Sequence, residues 1–227
     1  MPEDMRHFRR YQEKRRLRVV SGLVQKEKVT QVLDLGCGSG WLSEILHRKG
    51  FRVSAIDLGL DSLKRASVRL KKRNIAIPFI SGDIYNLPFC DAHFDAVVAS
   101  EVLEHLEKPH DALNEIARII RPGGYCIVST PYRERIEEIL CIHCNKKTPV
   151  NAHLHTFDEK IMEHMLLKSG FELQKCITFA NIHTEHLGIA GLTFFLPYSI
   201  WRVMDALACK LLARQSYMAV RAVKKDE

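Results

Sequence analysis

Several absences narrow what this chain can be. The longest uncharged apolar stretch of its 227 residues, His186 to Trp201, is broken by Gly188, Gly191 and Pro197 and falls short of the roughly 18 to 20 apolar residues that span a bilayer. The start, MPEDMRHFRRYQEKRR, is charged throughout and has neither the apolar core nor the cleavage site of a secretory signal. A cytoplasmic protein is therefore expected. No internal repeat, low-complexity tract or linker divides the chain, so one domain is expected at this length. The seven cysteines are an odd number, and Cys37, Cys90, Cys126, Cys176 and Cys209 stand singly, as small core residues do in a reducing compartment. Only Cys141 and Cys144 form a pair.

What is present is ordinary in bulk: 46% hydrophobic and 27% charged residues, with a formal net charge of +7. Residues 1–28 hold nine of the Lys and Arg against four acidic residues, so most of the excess lies there. A basic helix could meet nucleic acid or an anionic membrane, but such runs are more often solvated faces. The basic cluster on a second helix, Lys64 to Arg73, reads the same way, with Leu60, Leu63, Ser67 and Leu70 as its inner stripe.

Short β-rich runs at 31–36, 51–57, 77–83, 94–100 and 124–130 alternate with helical patterns at about 39–49, 59–73 and 108–120. That rhythm belongs to a parallel sheet covered on both faces. Beyond it the sequence predicts a helix over 132–140, one over 158–168, a strand from 171, an apolar helical region over 187–213 and a last strand over 216–225.

The densest chemistry lies in VLDLGCGSGWLSEIL, where a strand runs through Gly36, Gly38 and Gly40 into a helix. Glycine there permits a tight turn and close approach of a bound nucleoside, and the helix start offers free N–H groups. Asp57 ends the second strand, where a carboxylate can take hydrogen bonds from ribose hydroxyls. The spacing is G-x-G-x-G, with Trp41 where a dinucleotide fingerprint wants its third small residue. Further along come GDIYNLPF, SEVLEHL and IIRPGGYCIVSTP, each at a predicted strand boundary.

In that order and spacing the chain resembles the class I S-adenosylmethionine-dependent methyltransferases of the small-molecule, type 11-like branch, over about residues 30–131. The resemblance implies an α/β, doubly wound, Rossmann-like sheet of seven strands in the order 3-2-1-4-5-7-6, the last antiparallel. It divides the chain into a basic N-terminal helix or lid (1–29), a cofactor core (30–131), a Cys/His insertion (132–157) and a C-terminal half with an apolar cap helix (158–227). By position, Gly36, Cys37, Gly38 and Gly40 would wrap the methionine part of S-adenosylmethionine with Asp34 fixing their loop. Asp57 would hold the ribose, Leu58 flank the adenine, and Asp83 with Ile84 meet its amino edge. Ser100 and Glu101 would lie below the methionine.

Methyl transfer from a sulfonium is an in-line displacement that needs alignment and dryness, and a base only if the acceptor must lose a proton. His105 is the first candidate for that base and Glu101 the second, with Glu104 and Tyr132 behind them. SEVLEHL is not the Asn/Asp-Pro-Pro-Tyr/Phe run that often marks relatives acting on amide or base nitrogens. The expected acceptor is therefore a small molecule reached through O, N or C. The apolar and basic cap (Phe194, Phe195, Tyr198 and Trp201 with Arg202 and Lys210) points to a hydrophobic or lipid-linked one, at or near a membrane surface. Three alternatives stand beside this reading: a regulator that binds the cofactor and transfers nothing, an RNA methyltransferase using the basic helix, and a nicotinamide enzyme.

CIHCNKKTPVNAHLH supplies Cys141, Cys144, His153 and His155, with His143 in reserve. C-x-x-C followed by a residue tolerant of left-handed backbone resembles a zinc knuckle. Zinc, free cysteines and a redox disulfide are all open from sequence. Thr156 with Glu159 could also form a capping box for the following helix.

Overall fold

The computed structural model describes residues 3–25, 29–181, 196–212 and 214–225, with residues 3–11 described by backbone alone. Strands β1 (Gln31–Leu35), β2 (Arg52–Asp57), β3 (Phe79–Ser81), β4 (Phe94–Ser100) and β5 (Ile120–Pro131) alternate with helices α2 (Trp41–Arg48), α3 (Leu60–Lys71) and α4 (Pro109–Ile119). Helix α1 (Glu3–Gly22) precedes them. A short hairpin of β6 (Glu138–Leu140) and β7 (Lys147–Pro149), then α5 (Glu159–Lys168), β8 (Phe171–Asn181), α6 (Tyr198–Leu212) and β9 (Gln215–Lys224) complete the chain.

The main sheet has seven strands in the order β3-β2-β1-β4-β5-β9-β8. β1 to β5 are parallel, and β9 is antiparallel to both β5 and β8. With β8 and β9 as the sixth and seventh main-sheet strands, this is the expected topology, including the antiparallel last strand.

Period-two patterning explains the layers. On β1, Val32 faces one core and Leu33 the other; on β4, Ala96 and Val98 alternate with Val97 and Ala99. Successive side chains leave opposite sheet faces, and both faces are covered, so the strands read as continuous apolar runs. One layer takes Leu17, Val20 and Leu23 of the N-terminal segment with Leu42, Leu46, Leu63 and Leu70; the other takes Leu113 and Ile116 of α4 and Met162 and Leu166 of α5. The order in which strands are added reverses between β1 and β4, and in open α/β sheets ligands bind outside the carboxyl ends of the strands at such a switch.

Four expectations need correction. Residues 132–140 are not a helix: Arg133 has φ 49°, and 138–140 pair with 147–149. Sheet pairing and the Tyr132–Phe157 bridge override the helix-forming composition of that stretch. The inner stripe of α3 is Leu63, Ala66 and Leu70, while Leu60 is exposed. Helix α5 is capped by Asp158, whose Oδ1 accepts from the Ile161 amide at 2.9 Å, rather than by Thr156. Cys90 is exposed and Cys176 half-buried, unlike the buried Cys37, Cys126 and Cys209.

Lys64, Arg65, Lys71 and Lys72 are exposed as expected, but several arginines of the two basic clusters are engaged. Arg15, Arg16 and Arg18 lie over the rings of Trp201, Tyr217 and Tyr198 at 4.8, 5.7 and 5.7 Å, which pins α1 to α6 and β9. Arg69 stacks on Trp41 at 3.8 Å and, with Arg48 and Arg73, binds the buried Glu44. Burial works against the Glu44 carboxylate, but hydrogen bonds from Arg73, Arg69 and Arg48 outweigh it and hold its pKa below the usual range. The Met5, Phe8 and Tyr11 side chains, and residues 187–195 of the apolar region, lie outside the described residues. Among the described residues no helix is long and apolar enough to cross a membrane.

Candidate active site

The turn after β1 uses left-handed backbone at Gly36 (φ 69°), Gly38 (φ 50°) and Gly40 (φ 70°). Two of these positions carry the argument. A Cβ on Gly36 would lie 2.5 Å from Cγ2 of Val102, whereas one on Gly38 would meet nothing within 4 Å. Gly36 therefore lets the β1 and β4 loops touch, and Gly38 leaves open space at the mouth of β1.

Asp57, ending β2, ties this turn to its neighbour: Oδ2 accepts from the Gly38 amide at 2.7 Å and Oδ1 from the Gly59 amide at 2.8 Å. Leu58 beside it is 77% exposed, which leaves its side chain available to a flat ligand. Behind the turn Asp34 is buried and accepts a hydrogen bond from Ser43 Oγ. Burial pushes its pKa up to about 6, against the Ser43 bonds. Cys37 lines the turn as a buried thiol, its pKa driven far up by burial and the nearby Asp34 charge, and so is not a nucleophile.

At the end of β3, Asp83 Oδ1 accepts from the Tyr85 amide at 3.0 Å, and Ile84 packs against the α4-side core. Arg118 fixes this loop from behind, donating to the Leu87 and Phe89 carbonyls at 2.9 and 2.8 Å and to Asp91 and Glu115.

At the end of β4 the sequence-predicted Ser100 and Glu101 meet a residue that sequence reasoning missed. Arg16 of α1 places Nη1 3.2 Å from both Ser100 Oγ and Glu101 Oε1. Ser129 Oγ donates to Glu101 Oε1 at 3.1 Å. Glu101 itself has φ 57°, a strained conformation for a side chain with a Cβ and a frequent mark of functional sites. Burial raises its pKa, opposed by Arg16 and the Ser129 bond. Nothing in the sequence of α1 singles out Arg16 among its basic neighbours.

The last part of the insertion folds back along the turn after β4. The Leu154 amide donates to the Glu104 carbonyl at 2.7 Å, His105 Nδ1 meets the Ala152 carbonyl at 3.1 Å, and His155 Nε2 meets the Leu106 carbonyl at 2.9 Å. His153 Nδ1 pairs with Glu134, and its ring meets that of His105 edge-on at 4.8 Å. Glu104 is fully buried with neither carboxylate oxygen hydrogen-bonded; burial and the neighbouring Glu101 push its pKa up to about 8. Tyr132 turns instead to α5, donating to Glu159 at 2.7 Å.

The expected metal set of Cys141, Cys144, His153 and His155 is not brought together. Cys141 and Cys144 sit at the tip of the β6–β7 hairpin. There Asn145 takes φ 52° and its amide donates to the Cys141 carbonyl at 2.8 Å. The turn is knuckle-like, and hydrogen bonds from the His143 and Cys144 amides lower the Cys141 pKa. The histidines are committed elsewhere: His155 to a backbone carbonyl and His153 to Glu134 and His105. Among the described residues the one group with metal-ligand spacing is Glu104, His105 and His153.

The family model described as "Methyltransferase domain" matches residues 33–128, the segment from β1 to β5 that carries the turn, Asp57, Asp83, Ser100 and Glu101. Over this segment the chain is similar to the class I methyltransferases. Over 103 residues it is 37% identical to a ubiquinone biosynthesis O-methyltransferase of Psychrobacter arcticus, covering 44% of this chain and 40% of that one. Over 157 residues it is 32% identical to a malonyl-[acyl-carrier protein] O-methyltransferase of Buchnera aphidicola, covering 59% and 62%. These matches thus span less than two-thirds of either relative. A 1,6-didemethyltoxoflavin-N1-methyltransferase of Burkholderia thailandensis, solved with that substrate and S-adenosylhomocysteine, shares the methyltransferase fold at a TM-score of 0.64 and 19% identity, over 93% of this chain and 79% of that one.

Proposed function

We propose that the protein transfers a methyl group from S-adenosylmethionine to an oxygen of a small, hydrophobic acceptor. The observation that carries this reading is the open glycine turn at the mouth of β1, with Asp57 and the exposed Leu58 on one side and Ser100, Glu101 and Arg16 on the other. It fits the cofactor in shape and chemistry. In this reading Asp57 has lone pairs left for ribose hydroxyls after taking two amides, and Leu58 offers a flat apolar contact for adenine. Asp83 and Ile84 bound its amino edge. Gly36, Cys37, Gly38 and Gly40 follow the methionine, and Asp34 braces their loop through Ser43. Arg16 supplies a cation for the methionine carboxylate, with Ser100 beside it.

The cofactor, when bound, supplies an electrophilic methyl group on a sulfonium. This chain's part is alignment, exclusion of water and handling of one proton. In this reading His105 and Glu101 are the residues offered to take the acceptor's proton, Glu101 only once Arg16 has turned to the cofactor carboxylate. The oxygen acceptor is supported by the O-methyltransferase names of the two sequence relatives. Helix α6 supports a hydrophobic acceptor: Ile200, Val203, Met204, Leu207 and Leu211 are exposed at the i, i+3, i+4, i+7 spacing of one face. The test pairs calorimetry with S-adenosylhomocysteine and a labelled-methyl assay on hydroxylated acceptors of rising lipophilicity. Transfer that rises with lipophilicity supports the reading; cofactor binding with transfer only to nitrogen acceptors overturns the oxygen assignment.

A further inference from the structure

We propose that Glu104, His105 and His153 form a binding site for a divalent first-row transition-metal ion beside the end of β4, with coordination positions left open for substrate. The potential ligand atoms of the three residues lie within 4.8 Å of one another, close enough to converge on one ion. Two imidazoles and one carboxylate are the donor set of open zinc and non-haem iron sites, where three protein ligands leave room for an exogenous oxygen.

Two independent features support a built site. Glu104 is fully buried, and neither of its carboxylate oxygens has a partner. A buried carboxyl without a hydrogen bond is costly, and a cation bound to it removes that cost. Both imidazoles, in turn, are held from behind. His105 Nδ1 meets the Ala152 carbonyl and His153 Nδ1 meets Glu134, which places the proton on Nδ1 and the lone pair on Nε2. Metal-binding histidines carry this outer hydrogen bond, which fixes the tautomer and the ring orientation. The histidine of the insertion thus acts with EVLEHL rather than with the cysteines, and the Leu154–Glu104 backbone bond keeps the two segments in register.

The chemical use of the ion rests on the methyl-transfer reading. With an ion in place His105 would be its ligand rather than a base, and the ion would lower the pKa of a hydroxyl held beside it, leaving the proton to Glu101 or solvent. The freed oxygen pair then forms the bond to the methyl carbon while the sulfur–methyl bond breaks and its electrons stay on sulfur.

The site is tested on the full chain, stripped with chelator and titrated with Zn2+ by calorimetry, and with Co2+ by absorption. One equivalent of Zn2+ should bind, and Co2+ should give weak d–d bands without a thiolate charge-transfer band. His153→Ala and His105→Ala, the latter at an exposed position, should each weaken Zn2+ binding at least tenfold. Glu134→Gln should weaken it by about 10- to 100-fold, as loss of an outer hydrogen bond does. The double variant Cys141→Ser/Cys144→Ser should bind as the parent does. The proposal fails if the parent binds no Zn2+, if the histidine variants bind like the parent, or if the cysteine variant loses the ion. S-adenosylhomocysteine affinity on the same samples separates the two readings. A chain that takes the nucleoside and no Zn2+ refutes only the metal site, and the converse refutes only the methyltransferase reading.

Discussion

Asp57→Asn is a nearly isosteric change that the structure makes far from silent. Both carboxylate oxygens accept backbone amides, from Gly38 at 2.7 Å and Gly59 at 2.8 Å. An asparagine keeps one acceptor and turns an NH2 group toward the other amide, donor against donor. Hydrogen bonds to a charged group contribute about 1.5 to 3 kcal/mol each. The Gly59 bond is exposed and counts for less, so about 2 kcal/mol is lost. In a domain of this size that lowers Tm by about 4 to 8 °C. The nucleoside loses more, because its ribose hydroxyls would also face the wrong group. A loss of about 3 kcal/mol corresponds to an S-adenosylhomocysteine affinity roughly 100-fold weaker. Scanning calorimetry and isothermal titration read the two effects, and Asp57→Ala should resemble Asp57→Asn. If Asp57→Asn binds the nucleoside within threefold of the parent, Asp57 does not hold the ribose and the site is misassigned.

Gly36→Ala should fold but bind S-adenosylhomocysteine at least tenfold more weakly, since left-handed backbone costs about 1 to 2 kcal/mol and the new Cβ must push Val102 aside; a parental Kd would show that the loop yields freely. Arg16→Met should lower Tm, because it leaves the largely buried Glu101 without its cation, and should also raise KM for S-adenosylmethionine; an effect on Tm alone would make Arg16 purely structural. Asp34 has its pKa raised to about 6 in the folded state, so its contribution favours folding below the unfolded carboxylate value and is lost as pH rises through about 6. Asp34→Asn should therefore be more stable than the parent at pH 8 by up to about 3 kcal/mol, with the gain vanishing by about pH 4; chemical denaturation at the two pH values checks this, and an equal difference at both contradicts it.

How much of this was legible in the sequence varies with the range of the contact. Strand positions followed from period-two runs and from glycines and carboxylates at strand ends, which are local signals, and the strand order from the family resemblance those residues carry. The role of Gly36 was also local, because φ 69° is a demand on one residue. What sequence missed depends on chain segments far apart. Arg16 finds Ser100 across 84 positions, and residues 152–155 lie along 104–106 through one backbone pair and two histidine rings that meet carbonyls, partners that no local pattern announces. The helix expected over 132–140 was lost for the same reason: RERIEEIL has helix-forming composition, but 138–140 find 147–149 across the knuckle turn, and pairing outweighs propensity. The cysteine–histidine set looked like one site because its members are close in sequence, and only the fold sends His153 to the end of β4.

The structure of the chain with S-adenosylhomocysteine bound is the most direct test of the central claim. The account predicts the ribose hydroxyls on Asp57, adenine against Leu58, the amino-acid carboxylate at Arg16 and Ser100, and the sulfur facing Glu101 and His105. A nucleoside bound elsewhere, or in this crevice with its sulfur turned away from the end of β4, would contradict it.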